Sequence, residues 1–380
     1  MPLKRIAEVF GKSPATITRR LDEVRQAGWL RDHPEFAPPP EIWKQIQNRM
    51  TCTEVETELL ERLGSGLLNR ITVLPSAMRG DSPETRPENV ERIGRFAAVR
   101  LGDWLSEGEH VVGVNWGWSV RHCVASLRPP KPNPDLRFVP LVGNLSLDES
   151  DPYFEETIEC SSNRLAQIAA AAFGAPRSPR LNTPAYIPRR FHGDPTGLRA
   201  IRDFIEGDVS YRRVFGGKKE RNKRDPGMIA QMDTLISGLS SLDVSTLPIY
   251  RPDLITEQDI GSLQRSGVVG DLGLHLVVDP DHVGEGDGAA GAKLVDEINN
   301  LIVGASPEEF VRVADRARNG NGGLGVVVLA SGAWKARILL AAIRMGAVNE
   351  LITDLETAIA MGKLLGVKSL GKAHLPTARP

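Results

Sequence analysis

Gly325-Val326-Val327-Val328-Leu329-Ala330-Ser331-Gly332-Ala333-Trp334-Lys335 is the stretch that decides the fold. Its first half is an unbroken apolar run that reads as a strand over 325–329, and a polar turn then leads into a helix over 333–345. The same alternation recurs on the N-terminal side. Strands are predicted at 70–74, 111–114 and 138–142, and helices at 55–67, 89–105, 119–127 and 163–173. Strand and helix in alternation, with no internal repeat, predict an α/β domain built on a mostly parallel sheet. Ligands of such sheets sit beyond the carboxyl ends of the strands, against helix N-termini.

Three polar loops occupy that position. Gly113-Val114-Asn115-Trp116-Gly117-Trp118-Ser119 runs from a strand into a helix, where glycine permits close backbone approach and the helix start offers unpaired amides. Val142-Gly143-Asn144-Leu145 follows the next strand. The third is the Ser331–Lys335 turn, whose lysine either neutralises a phosphate or is a surface charge. Trp116, Trp118 and Trp334 lie in these loops and either stack on a sugar or fill the space themselves.

The first 36 residues differ in character. They carry seven Lys/Arg against five Asp/Glu, whereas the whole chain of 380 residues is balanced at 47 against 48. Leu3, Ile6, Ala7 and Phe10 form one apolar face of a short helix that Gly11 can end. Ser13 is placed to cap a second helix, with Pro14 at its first position and Ile17, Leu21 and Val24 as its buried stripe. Gly28 closes that helix, and Trp29-Leu30 begins a wing or small strand. Two helices joined by a glycine turn make a helix-turn-helix. Ser13, Ala15, Thr16 and Thr18 are then placed toward base edges, and Arg19 and Arg20 toward phosphates. The alternative is a plain helical hairpin with solvated arginines. A chain starting at Met1 leaves no room for the usual supporting helix, so support is expected upstream or from the rest of the protein. His33–Pro40, with four prolines, marks the domain boundary. The resulting division is a DNA-binding module over 1–35, a linker over 36–54 and a large domain over 55–375.

Other classes are set aside by composition. Apolar residues are 41% and charged residues 25%, as in ordinary globular chains. No apolar run approaches the roughly 18 residues of a membrane span, and the N-terminus has no signal-peptide core. Three scattered cysteines, Cys52, Cys123 and Cys160, suit neither a disulfide scaffold nor a metal site. A soluble cytoplasmic protein without cofactor or metal is expected. The basic stretch 212–224 reads as a solvated loop, with DNA phosphates or an acidic partner as the alternative. Gly284–Gly291 (GEGDGAAG) lacks the setting of a nucleotide fingerprint and reads as a flexible surface loop.

Several motifs, in order, carry a resemblance. Gly267-Val268-Val269-Gly270-Asp271 is similar to a Gly-Ala-Val-Gly-Asp segment, with Asp279 like the aspartate that follows it, and Ala330–Lys335 is similar to Ala-Gly-Gly-x-x-Lys. Asn349-Glu350-Leu351-Ile352-Thr353-Asp354 followed by Thr357-Ala358 resembles an Asn-x-Leu-Ile-Thr-Asp ending, Gly113–Ser119 resembles Gly-x-x-Trp-Gly-Arg-Thr, and Asn163 falls at a helical asparagine. Together, over roughly 3–32 and 55–365, they resemble the SorC/DeoR-type sugar-binding transcriptional regulators.

That resemblance implies an effector domain similar to the glucosamine-6-phosphate deaminase/ribose-5-phosphate isomerase fold, with catalysis lost and a phosphorylated sugar as effector. It also implies a homodimer or homotetramer on a double-stranded DNA operator. Trp118, Ser119, Val120, Gly143 and Asn144 would cradle phosphate, Lys335 would neutralise it, and Asp271 would accept sugar hydroxyls. Two departures stand out. Trp118 replaces an arginine, and Asp243–Ile249 lacks the glycines of the family's Gly-Ile-Gly loop. The competing readings are a sugar-phosphate isomerase or deaminase, with Asp271, Asp243 or His275 as its base, and a regulator without an effector.

Overall fold

A computed structural model describes residues 7, 12–26, 51–64, 66–76, 86–145, 158–218, 224–242, 253–279, 288–320 and 322–367. At the front, helix α1 spans Pro14–Gln26. The Ser13 hydroxyl accepts the Thr16 amide at 3.2 Å, so the capping residue and the proline at the first position act as their chemistry predicts. Ile17 is buried, with Leu21 and Val24 half-buried on the same stripe. Ala7 is helical and buried, and the Lys12 amide donates to its carbonyl at 2.9 Å, a six-to-one closure of the kind that ends helices. Leu3, Ile6, Phe10, Gly11, Gly28, Trp29-Leu30 and the proline-rich segment lie outside the described residues.

The large domain is a six-stranded sheet in which every pairing is parallel. Its strands are β1 (Arg70–Leu74), β2 (Val111–Val114), β3 (Arg137–Pro140), β4 (Thr234–Ser237), β8 (Gly325–Ala330) and β9 (Glu350–Asp354). Across the sheet they lie in the order β1-β9-β8-β4-β2-β3. Helices cover both faces, which is why β8 and β9 are buried at every residue instead of alternating polar and apolar. Val326, Val328 and Ala330 of β8 join one apolar cluster, while Val327 and Leu329 join the other. The second cluster is supplied by α3 (Arg86–Trp104), α4 (Trp118–Ala125) and α5 (Ser162–Phe173), through Ile93, Leu101, Val120, Leu165 and Phe173. The first is supplied by α2 (Thr53–Leu63), α10 (Pro307–Arg318), α11 (Ala336–Arg344) and α12 (Leu355–Leu364), among others.

Beside this sheet stands a small antiparallel one, β5 (Ser240–Ser241), β6 (Val268–Leu272) and β7 (His275–Val278). Against it pack α8 (Glu257–Arg265), α9 (Gly288–Asn299) and α11, while α6 (Pro195–Gly207) and α7 (Val209–Phe215) precede β4 in the chain.

Most predicted elements fall within a few residues of those found. Two interior strands of the large sheet, β4 and β9, lie in stretches for which the sequence suggested no strand. Residues 243–249, where the departure from Gly-Ile-Gly was placed, lie outside the described residues. The GEGDGAAG reading is corrected in its second half, because residues 288–291 form the first turn of α9. Gly291 is required there. A Cβ on it would stand 1.4 Å from the Ser266 hydroxyl, so glycine lets α9 press against the end of α8. Part of the basic stretch is also ordered. Arg212 and Arg213 end α7, and Gly217–Lys218 pairs antiparallel with Arg224–Asp225.

Candidate functional site

Strand order decides where a site can form. From β2 the chain moves outward to β3, then returns to β4 on the other side of β2 and continues toward β8 and β9. The connections therefore diverge between β2 and β4, and the crevice beyond the carboxyl ends of those two strands is where open parallel sheets bind ligands. Asn115 fastens the two sides of that crevice. Its amide donates to the Ile236 carbonyl and its Nδ2 to the Ser237 hydroxyl, both at 2.9 Å.

From Asn115 the loop passes Trp116 and enters α4. Gly117 precedes that helix at φ +132°, a conformation glycine alone adopts freely, and no side chain caps the helix start. The Trp118, Ser119 and Val120 amides consequently have no hydrogen-bond partner among the described residues, and the positive end of the helix dipole lies with them. Ser119 and Val120 are buried, whereas Trp118 is exposed and carries the Arg121 guanidinium over its ring at 5.7 Å.

Gly143 and Asn144 lie at the end of β3, but their amides are already used. Gly143 donates to the Val303 carbonyl at 3.3 Å and Asn144 to the Thr183 carbonyl at 2.8 Å. Glycine is needed at 143 for close packing, since a Cβ would stand 2.3 Å from the Pro184 carbonyl oxygen. Asn163 occupies a positioning role beside them, giving its Nδ2 to Asn144 Oδ1 at 2.8 Å and taking the Leu181 amide at 2.8 Å. Gly143 and Asn144 wall a cavity of about 220 Å³ that Trp116, Ser162 and Leu274 also line. The tryptophan question thus divides. Trp116 borders the cavity without closing it, Trp118 stands in solvent, and Trp334 packs against Gly332, where a Cβ would lie 2.4 Å from its ring.

On the far side of the crevice, β8 ends at Ala330 and the Gly332 amide donates to the Thr357 hydroxyl at 2.8 Å and to Asp354 Oδ2 at 3.3 Å. Asp354 also caps α12 through the Thr357 amide at 2.9 Å. Lys335 follows on a single 3-10 turn, Ala333–Lys335, before α11 begins. Burial lowers the pKa of its ammonium, and the Asp271 and Asp354 carboxylates pull it back upward. Asp271 is 2% exposed, and burial pushes its carboxyl up to about 7. The Leu274 amide, the Ser240 hydroxyl and the Lys335 charge offset that shift only in part. Asp271 Oδ1 accepts the Leu274 amide at 3.1 Å, while Oδ2 is buried without a hydrogen bond of normal geometry among the described residues.

Leu274 itself is unusual. With Gly273 it forms the β6–β7 turn at φ +64° and +70°, and a leucine held at positive φ marks local strain of the kind that collects at ligand sites. His275 follows, buried, with Nδ1 3.2 Å from the Gly273 carbonyl; burial brings its pKa down to about 4 and keeps it neutral. Sequence reasoning singled out the strand-end loops, Asp271 and Lys335. It missed the Asn115–Ser237 tie, Ser162 and the strained turn, none of which has a local pattern. No group of three His, Cys, Asp or Glu residues among the described residues could hold a metal ion.

In the front helix Ser13, Ala15, Thr18, Arg19 and Arg20 are exposed and Thr16 is half-buried. Thr18 returns its hydroxyl to the Pro14 carbonyl at 3.0 Å. Arg19 and Arg20 lie 3.9 and 2.6 Å from Glu23.

Comparison with known proteins agrees with this geometry. The Sugar-bind family model, a sugar-binding domain, matches residues 47–189, the stretch that holds the α4 loop and the β3 end. The chain is 26% identical over 366 residues to the transcriptional regulator LsrR of Enterobacter sp. (strain 638), covering 95% of this chain and 88% of that one. Its fold is similar to a DeoR family transcriptional regulator from Listeria monocytogenes, with TM-score 0.54, 19% identity and 82% of this chain matched to 99% of that one. It is also similar to the full-length sorbitol operon regulator SorC from Klebsiella pneumoniae, with TM-score 0.50, 18% identity and 96% of this chain matched to 94% of that one. Residues 47–189 thus match a sugar-binding domain, and along most of its length the chain is similar to SorC- and DeoR-type transcriptional regulators.

Proposed function

We propose that this protein is a DNA-binding transcriptional regulator whose DNA affinity or oligomeric arrangement is set by a phosphorylated sugar in the crevice between β2 and β4. The observation that carries the reading is the uncapped start of α4, with the Trp118, Ser119 and Val120 amides unpaired among the described residues beyond the end of β2. Unpaired amides at a helix N-terminus are a ready anion site. Lys335 adds positive charge, and the unpaired oxygen of Asp271 is suited to a sugar hydroxyl. Gly143 and Asn144 serve as cavity wall in this reading, because their amides are occupied.

At the other end, Ser13, Ala15, Thr16 and Thr18 face the major groove while Arg19 and Arg20 take phosphates. Their pairing with Glu23 is no obstacle, since exposed ion pairs are worth at most about 1 kcal/mol. Residues 1–35 form this module, 36–54 the linker and 55–375 the effector domain. The working unit is a homodimer or homotetramer, because two modules must match half-sites about one helical turn apart. Control follows if the sugar phosphate binds the DNA-competent and DNA-incompetent arrangements with different affinity.

Fluorescence anisotropy on a duplex selected by the full chain from a random pool tests the DNA half. The Arg19→Ala/Arg20→Ala double variant is expected to lose tenfold or more in affinity and to reduce the salt slope by about two. Thermal melting tests the effector half. A phosphorylated sugar is expected to raise Tm, and Lys335→Ala to abolish the rise. Unchanged DNA affinity, or a flat Tm across a panel of sugar phosphates, would reject the corresponding half.

A further inference from the structure

The cavity beside Trp116 is poorly suited to a fully hydroxylated sugar. At about 220 Å³ it falls below the roughly 300 Å³ at which complete ligand pockets begin, so it has room for one end of a ligand. Its walls are Trp116, Val142, Leu145, Ile158 and Leu274, together with a few polar residues whose groups are mostly committed. Asn144 spends Oδ1 on Asn163 at 2.8 Å and Nδ2 on the Leu181 carbonyl at 3.3 Å. The Ser161 hydroxyl accepts the Arg164 amide at 3.4 Å as the cap of α5.

Ser162 remains. It is 2% exposed, it lines the cavity, and its Oγ is buried without a hydrogen-bond partner among the described residues. Buried hydroxyls are nearly always paired, so an orphan on a residue that lines the cavity marks where a polar atom of a ligand would be satisfied. The cavity also adjoins both halves of the proposed anion site. Trp116 lies two residues before the open amides of α4, and the Leu274 amide is held by Asp271.

We infer that this cavity holds the end of the effector remote from its phosphate, and that this end is hydroxyl-poor. A deoxy position or methyl terminus packs against Trp116, Val142, Leu145, Ile158 and Leu274, and a single polar atom sits on Ser162. The inference rests on the reading of the site as one for a phosphorylated sugar. Selectivity follows from what the described walls lack. Each additional hydroxyl carried into the cavity gives up water without gaining a partner, a loss on the order of tenfold in affinity.

The test is calorimetric titration of the full chain with two matched pairs and with inorganic phosphate. One pair is D-fucose 1-phosphate against D-galactose 1-phosphate, and the other is 2-deoxyglucose 6-phosphate against glucose 6-phosphate. In at least one pair the deoxy member should bind tenfold or more tightly than its hydroxylated partner. Ser162→Ala should weaken that preferred probe five- to twentyfold while leaving inorganic phosphate unchanged. Ile158→Ser, on a wall residue that is 41% exposed and so tolerant of change, should narrow the ratio within the pair. Equal or tighter binding of the hydroxylated member in both pairs overturns the inference, as does an unaffected Ser162→Ala variant, and either result leaves the anion site standing. If none of the four probes nor inorganic phosphate binds, the sugar-phosphate reading falls and this inference falls with it.

Discussion

The two ends of the same parallel sheet are built on opposite terms. At the amino ends of the strands, Asn349 places all its polar groups. Its Oδ1 takes the Val326 amide at 2.8 Å, its Nδ2 reaches the Ala314 carbonyl at 3.1 Å, and its carbonyl receives the Asn69 amide at 2.7 Å. Arg318 joins the Gly346, Val348 and Leu67 carbonyls at 2.7, 3.1 and 3.2 Å, and Arg100 forms a two-pronged pair with Glu350 at 2.6 and 2.9 Å. At the carboxyl ends, Asp271, Ser162 and Asn115 each bury an oxygen without a partner among the described residues. Orphans occur at the amino ends too, at Arg318 Nε and Asp233 Oδ1, but neither residue borders the cavity. The contrast separates two kinds of motif residue. Asn349 and Glu350 hold the fold, while Asp271 and Lys335 are kept at a cost to it.

The sharpest way to break this comparison is Asn349→Ala. It leaves the Val326 amide buried and unpaired and removes the second donor from the Ala314 carbonyl, for a loss of up to about 3 kcal/mol. Tm should fall by roughly 6–12 °C, whereas sugar-phosphate binding by the folded fraction should persist. A drop smaller than the scatter between melts would remove Asn349 from the fold-holding group.

Asp271→Asn should act in the opposite direction. Its carboxyl is raised to about 7 from an ordinary 3.8, so the stability it supplies is complete below about 4 and is lost as pH climbs through 7. His275, brought down from 6.5 to about 4, behaves inversely, because its contribution is present above 6.5 and lost as pH falls toward 4. Between those limits the two slopes oppose each other in the wild type. The Asp271→Asn variant should melt several degrees higher than wild type at pH 8 and should gain stability with pH between about 4.5 and 6.5. A profile parallel to wild type would show that Asp271 carries no such burden.

The smallest effect is expected from Trp118→Ala. Trp118 is 42% exposed with the Arg121 guanidinium over its ring, so stability should change by no more than about 0.5 kcal/mol in chemical denaturation. A larger loss would mean that this end of α4 is built as part of the core.

How much of this was legible varies with how local the signal is. β1 and β2 are found where their apolar runs lie, and β8 extends one residue further. β4 is hidden because Thr234-Leu235-Ile236-Ser237 is short, carries a hydroxyl at each end and is buried on both faces, so it has no alternation to read. Gly291 misled in the other direction. Glycine in a polar run suggests a loop, and only the proximity of Ser266 explains it inside a helix.

At the site, Gly117 and Lys335 stood out in strand-end loops, and Asp271 through the resemblance of its motif. Ser162 and Leu274 did not. An orphaned hydroxyl is defined by what surrounds it in space, and a leucine at positive φ violates the residue preference by which turns are recognised. Gly143 was noticed for ligand approach, yet its neighbour turned out to be the chain's own Pro184 carbonyl.

One pairing has a consequence for how this protein is made. β1, at one margin of the sheet, is zipped to β9, with Arg70 opposite Glu350. A nascent chain therefore carries its first strand off the ribosome long before the matching strand exists, and must keep that unmated edge from sticking elsewhere while some 280 intervening residues are translated. A premature stop anywhere short of β9 would release a polypeptide with that edge permanently bare, a substrate for chaperones and proteases instead of a truncated sensor.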